Sequence, residues 1–409
     1  MFLIVSPTSK STGNFTTVNR IESHLNRVEM NSKHTSPEEF LSGSSLCPLF
    51  QLNRYVTTNQ VYGVIFIHAY KSGKVLVCNC SRACEPRFNY GVIFGGTDLN
   101  CDVTYPDKLK VIKNCLDLSS FNIVFTQDMD NKVKKLFPEM YSRTIVQAQA
   151  VDYHLFRQVD LPTSYEVKKP VVLVMPCSIR PVKNPMYLLD QIAQIRVETS
   201  IDVRLLILGP ALDRPYYDTF TTKIESAINS KTGLNGNYSV HSHSVGRAPS
   251  TMSIHSKEGS TPGAYPPIEA DRNTCLIKKW MSTRSGSFIQ YIPAIDAEAY
   301  YSHMAGNSFF ALVNSSESEG MSSALLEGMA CGLPVIARDI PGNNSVITHR
   351  KNGLLFKTRK QFQSCAVSIL SDSEFRENLA REAKCTIKYN HSPYTEGNFY
   401  VSMFQKTLT

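Results

Sequence analysis

The chain is predicted to be an α/β protein built of two doubly wound parallel-sheet domains. Short apolar runs alternate with amphipathic stretches along its length, the pattern of parallel strands joined by crossover helices. That alternation comes as two series, separated by the polar segment 152–169. The length of 409 residues also exceeds what one ordinary core holds and suits two domains.

In the first series the strand candidates are FLIVS (2–6), VYGVIFI (61–67), GVIF (91–94), FNIVFT (121–126) and RTIVQA (143–148), with helical stretches between them, as at Thr16–Glu29 and Asp107–Leu116. In the second they are VVLVMP (171–176), VRLLILG (203–209), FIQYI (288–292), FFALVN (309–314) and LPVIA (333–337). The first domain is therefore predicted over residues 1–165 and the second over 166–393, with 152–169 as the hinge. Residues 231–287, rich in Ser, Gly, Pro and His, interrupt the second series and predict a long loop or disordered insertion. His241 and His243 inside it are read as solvated rather than metal-binding.

The net charge of +8 favours anionic ligands, and no dense Lys/Arg run with interleaved aromatics argues for nucleic acid. The opening MFLIV turns polar after five apolar residues, which predicts a first buried strand and not a signal peptide. No apolar run is long enough to span a bilayer. Eleven irregularly spaced cysteines predict reduced, mostly buried thiols and a cytoplasmic protein. Cys78, Cys80 and Cys84 cluster, but no second pair follows at zinc-site spacing, so no metal is assigned. The basic stretches Lys108–Lys113 and Lys132–Lys135 are read as solvated helix faces in preference to contact with a membrane carrying a lipid acceptor.

The most informative segment is ESEGMSSALLEGMACGLPVIA (317–337). It follows a strand, opens a short helix, and carries Glu319 and Glu327 around that helix's start. A strand feeding a helix N-terminus suits a phosphate, and a carboxylate a turn or two further suits sugar or ribose hydroxyls. Together they read as a nucleotide-sugar site. Glu327 stands in a helix apolar nearly all round, and Ser323 and Cys331, four residues to either side, give it no basic partner. With Ser323 as N-cap, the capping-box position falls on Leu326, so a cap does not explain Glu327 either. An acid at Glu319 is already favoured by the helix dipole. Gly320, Met321 and Ser322 form the turn, where backbone N–H groups can meet a ligand.

Arg180 and Lys183, in SIRPVKNP (178–185), follow a strand of the second domain. Two cations at that strand end can stabilise charge on a leaving diphosphate. In the first domain, HAYKSG (68–73) and GGTDLN (95–100) each follow a strand, and so does the polar loop Ser11–Thr12–Gly13. Gly13, His68, Gly95, Gly96, Thr97 and Asp98 are the acceptor or cleft candidates; taken alone, His68 reads as a satisfied core histidine. Asp128 and Asp130 look like a metal-binding acidic pair, but dipole-favoured acids at a helix start explain them better. There is no dinucleotide fingerprint, P-loop, zinc-protease motif or nucleophile elbow.

ESEGMSSALLEGMACGLPVIA, with IPGN (340–343) and NGLLF (352–356), resembles the C-terminal domain of family 4 retaining glycosyltransferases. A narrower likeness, carried also by GVIFGGTDLN, the Arg180–Pro185 loop and ARDIPGNNSVITH, is to the glycosyltransferase 1 domain-containing protein 1 group. The resemblance implies the GT-B fold, two Rossmann-like domains facing across a cleft, with a final helix over 394–406 crossing back onto the first domain. It implies that Glu327 holds the ribose, and that Glu319 and the backbone of Gly320–Ser322 hold the sugar and diphosphate, with Gly342 of IPGN in the donor set. Arg180 and Lys183 neutralise the diphosphate, so no metal or other cofactor is needed. The partners are a UDP- or GDP-linked sugar and an acceptor whose class (glycan, protein, lipid or small molecule) stays open. Three positions depart from the family: Ser178 replaces an arginine, Gly95–Asp98 lacks the usual histidine, and Asn343 and Asn344 replace a glutamate. The expected activity is retaining glycosyl transfer, hexosyl transfer in particular; the alternatives are a catalytically silent nucleotide-sugar-binding or scaffold protein and a GT-B phosphorylase or epimerase.

Overall fold

The computed structural model describes residues 1–7, 13–42, 46–78, 84–151, 170–229, 267–283, 287–293, 295, 297–305 and 308–406. The expected hinge, 152–169, and the two histidines of the insertion lie outside them.

Two six-stranded parallel sheets carry the fold. The first contains β1 (Phe2–Val5), β2 (Ser32–Thr35), β3 (Gly63–Ile67), β4 (Tyr90–Ile93), β5 (Phe121–Val124) and β6 (Thr144–Val146), in the order β2-β1-β3-β4-β5-β6. The second contains β7 (Val171–Pro176), β8 (Val203–Leu208), β9 (Ile289–Ile292), β10 (Ala311–Asn314), β11 (Val335–Arg338) and β12 (Leu354–Phe356), in the order β12-β11-β10-β7-β8-β9. Every pairing between named strands is parallel. Helices cover both faces, so central strands such as FLIV, GVIFI and VRLLIL are buried residue by residue.

The strand orders decide where a ligand can sit. In the second sheet the winding reverses between β7 and β10, the first and fourth strands of the 3-2-1-4-5-6 arrangement. In the first it reverses between β1 and β3. At each reversal the loops leaving the two strands diverge and open a crevice beyond their carboxyl ends.

One expectation is corrected. Within the span expected to be loop or disordered, Pro267–Ser282 is a helix. Its Ile277 and Trp280, one turn apart, are buried; Trp280 Nε1 donates to the Ser287 carbonyl at 2.7 Å, and Arg204 Nη1 donates to the Trp280 carbonyl at 2.6 Å. Tertiary burial of one short apolar stripe outweighs the polar composition of its neighbourhood. Among the described residues, no helix is long and apolar enough to cross a membrane.

The final helix, Pro393–Lys406, packs on the first-domain helix Gly13–Asn26. Phe404 meets Phe2 edge-on at 4.7 Å between ring centroids. Glu396, 1% exposed, takes Arg20 Nε on both oxygens at 2.8 and 3.1 Å and lies 2.9 Å from His24 Nε2. Burial drives the Glu396 carboxyl upward, but the Arg20 charge and His24 outweigh it and hold the pKa below the ordinary value. A depressed folded pKa stabilises above the unfolded value, and the gain is lost as pH falls through the folded one. Glu396→Ala, which strands a buried Arg20, is therefore expected to cost about 3–5 kcal/mol at neutral pH. Melting wild type and variant across an acid series should show their Tm values converging below about pH 4; a constant gap would refute the ion pair's role.

Candidate active site

The loops leaving β7 and β10 are stitched together before any ligand arrives. Glu317 N donates to the Val182 carbonyl at 2.8 Å, and Ser315 Oγ donates to the carbonyls of Lys183 and Asn184 at 3.2 and 2.9 Å. Asn184 turns the chain with φ of 41°, a left-handed conformation that asparagine tolerates, and its side chain donates to Glu317 Oε1 at 2.8 Å. The outcome is a close ion pair, Lys183 Nζ to Glu319 Oε1 at 2.5 Å. Asn314, the last residue of β10, adds a donor to Glu319 Oε1 at 3.3 Å. Burial pushes the Glu319 carboxyl up, but Lys183, Ser316 and Asn314 together bring it below its ordinary value. Two of the residues predicted from sequence are thus brought into direct contact.

The helix after Glu319 runs Ser323–Ala330, with Ser322 rather than Ser323 as its N-cap. Ser322 makes no side-chain cap bond, so the first-turn N–H groups of this helix lack that partner. Gly342 backs the turn so closely that a Cβ on it would lie 2.4 Å from the Glu319 carbonyl. Asn343 is fully buried; its Nδ2 donates to Asn314 Oδ1 and the Arg338 carbonyl, while its Oδ1 has no protein partner.

Glu327 is not brought to Lys183. It is half-buried on the same helix, and burial pushes its carboxyl up to about 7 against the Arg20 charge and a hydrogen bond from Tyr301. The basic neighbour absent at helical spacing is supplied by the first domain.

Across the crevice, Asp98 is fully buried and accepts from the backbone N–H groups of Gly95, Ala69 and Leu99 at 2.9, 2.9 and 3.0 Å. Burial nevertheless lifts it to about 7. His68 adopts φ of 75°; Lys71 N donates to its Nδ1 at 3.3 Å, so the ring proton lies on Nε2 and is donated to Thr97 Oγ1 at 2.9 Å. Burial first, then the Lys71 charge, lowers His68 to about 3 and keeps it neutral. His68 thus meets the Gly95–Asp98 loop in space. Gly95 stands beside Asn14 and His68, whereas Gly13 starts its helix in open space.

The two domains touch through backbone. A Cβ on Gly96 would lie 2.3 Å from Gly320 N, one on Gly320 would lie 2.9 Å from Gly96 Cα, and Asn100 Nδ2 donates to the Glu319 carbonyl at 3.2 Å. Only glycine permits this approach at both positions. Gly320→Ala is expected to overpack the contact, costing about 1–3 kcal/mol. A lowered Tm and wider domain separation in small-angle scattering check it; unchanged values in both would contradict the contact.

Arg180 extends into this space. Its Nε is buried without a protein partner, and after desolvation its charge lowers the Lys71 ammonium and adds to the lowering of His68. Sequence reading missed Asn314, Arg20, Lys71, Tyr301 and Asn100. Asn314 alone left a signal, a polar residue closing an apolar strand; the others are assembled only by the tertiary fold. Asp128 and Asp130 are explained structurally: Thr126 caps their helix, and they pair with Lys132 and Lys134.

A two-sheet α/β protein with charged loops at both reversals, facing across a cleft, has GT-B architecture. Residues 270–386 match the glycosyl transferases group 1 family. Over 400 residues, 96% of this chain and 94% of the relative, it is 28% identical to glycosyltransferase 1 domain-containing protein 1 of Xenopus tropicalis. Among solved structures, HepE of Anabaena in complex with UDP-glucose superposes with a TM-score of 0.68 at 13% identity, covering 99% of both chains. Sucrose-phosphate synthase of Thermosynechococcus elongatus superposes at 0.64 and 12%, covering 99% of this chain and 98% of that one.

Proposed function

We propose that the protein is a retaining glycosyltransferase that moves a sugar, a hexose in particular, from a UDP- or GDP-linked donor to an acceptor. The observation that carries this reading is the Lys183–Glu319 pair at the sheet reversal, beside an uncapped helix N-terminus and the unpartnered Arg180 Nε. Arg180, Lys183 and the first-turn N–H groups take the diphosphate, in place of a metal ion. Displacing Glu319 from Lys183 frees a carboxylate for sugar hydroxyls, and Glu327 takes the ribose. Thr97, oriented by neutral His68, and the Gly95–Asp98 turn face the acceptor. The bond from the anomeric carbon to the diphosphate breaks as the acceptor oxygen attacks on the same face, through an oxocarbenium-like transition state. The acceptor proton passes to the departing diphosphate oxygen. No side-chain nucleophile is called for; positioning and charge stabilisation of the leaving group supply the rate. A cytoplasmic site of action fits the sequence reading.

Incubation with donor and an acceptor panel, with the new linkage read by anomeric proton coupling in NMR, tests this. Product with the donor's anomeric configuration is expected, and inverted product would overturn it. One observation favours a second reading, a nucleotide-sugar-binding protein without turnover: Ser178 stands where the family carries an arginine. Donor binding with neither transfer nor donor hydrolysis would establish that reading instead.

A further inference from the structure

The side chains of Cys47, Cys78 and Cys84 converge, their sulfur atoms all within 4.8 Å of one another. Among the described residues no other three His, Cys, Asp or Glu side chains meet in this way. The partner that spacing did not reveal is Cys47, far upstream of the other two.

The cluster is built by contacts that do not involve sulfur. Cys47 is the N-cap residue of the helix Pro48–Thr58, and that helix packs on the turn Gly73–Leu76, two residues before Cys78. Asn53 on the same helix holds the strand of chain after Cys84: its Nδ2 donates to the Glu85 carbonyl at 3.0 Å, and its Oδ1 accepts from Arg87 N at 2.9 Å. One helix thus fixes all three thiols. Zinc–sulfur bonds of about 2.3 Å place tetrahedral sulfurs about 3.8 Å apart, so modest side-chain rotation closes the triad on an ion. A disulfide uses two sulfurs and would leave the third outside it. All three cysteines are half-buried, which leaves an ion a path in from solvent. The described cysteines form no disulfide.

We propose that Cys47, Cys78 and Cys84 form a thiolate site for one thiophilic divalent cation, Zn²⁺, with a fourth position open to water. Binding forms three zinc–sulfur bonds and releases the three thiol protons to solvent, so affinity rises with pH. The site brackets β3: Cys47 precedes it, and Cys78 follows the loop that carries His68 and Lys71 into the cleft. The ion clamps that loop from outside and takes no ligand from the proposed donor site.

The test uses the full chain, reduced and stripped of metal, titrated with Zn²⁺ and separately with Co²⁺. Expected are one equivalent of bound zinc by elemental mass spectrometry, thiolate-to-cobalt charge-transfer absorption, and a Tm that rises with zinc as binding to the folded state requires. Cys47→Ser and Cys84→Ser should lose all three responses, while Cys385→Ser, an exposed cysteine elsewhere, keeps them. Far-UV circular dichroism identifies any variant that fails to fold, and the wild-type titration stands without the variants. Substoichiometric zinc, absent cobalt–thiolate absorption, or binding retained in folded Cys47→Ser would overturn the proposal. A disulfide within the triad in protein purified without reductant would replace it with a redox pair.

Discussion

Lys183→Ala is expected to lower kcat for sugar transfer by about a hundred- to a thousand-fold, the scale of losing one preorganised charge at a leaving group. The lysine lies in a short turn, 181–184, that four hydrogen bonds tie to the β10 loop, so it is held in place before donor arrives. Its loss also strands Glu319, a carboxylate in a buried environment whose pKa Lys183 keeps low. Two effects then follow from one substitution: lost transition-state stabilisation and a lower Tm from the unpaired charge. They are separable. Adding Glu319→Gln to Lys183→Ala removes the stranded charge and should restore most of the Tm while leaving kcat low. Recovery of kcat along with Tm would mean that Lys183 serves the fold and not the chemistry.

Glu327→Gln should weaken donor binding by about ten- to a hundred-fold, because charge-assisted hydrogen bonds are worth about 1.5–3 kcal/mol. The pH dependence is informative because burial lifts this carboxyl to about 7. Ribose hydroxyls need the carboxylate as acceptor, so wild-type affinity should rise as pH passes upward through 7. The stability of the donor-free protein should run the other way. A carboxyl whose folded pKa is raised holds a proton that the unfolded chain has released, so between the two pKa values stability falls as pH rises. Asp98, also lifted to about 7, contributes to the same slope, so the diagnostic quantity is the difference between wild type and Glu327→Gln. A pH-independent difference in both binding and Tm would remove Glu327 from the donor site.

The sequence made the central strands legible because parallel strands buried on both faces are continuous apolar runs. The edge strand β2 was not legible: SKHT has no apolar run and is identified only by its pairing with β1. β12 was visible as part of a motif, NGLLF, but not as a strand, being three residues long. The helix Pro267–Ser282 was hidden by the Ser- and Gly-rich residues around it, since only packing against β8 reveals the use of Trp280. At the candidate site, residue types and spacing pointed to Glu319, Glu327, Arg180 and Lys183 individually. That Lys183 pairs with Glu319, and that Arg20 faces Glu327, depend on strand order and domain apposition, which no local pattern records.

The most direct test of the account is calorimetric titration of the purified chain with UDP- and GDP-linked sugars, without added divalent metal. The account predicts saturable binding of one donor class, abolished or strongly weakened in Glu327→Ala and in Lys183→Ala. Absence of binding by every donor, or binding that both variants leave unchanged, would contradict it.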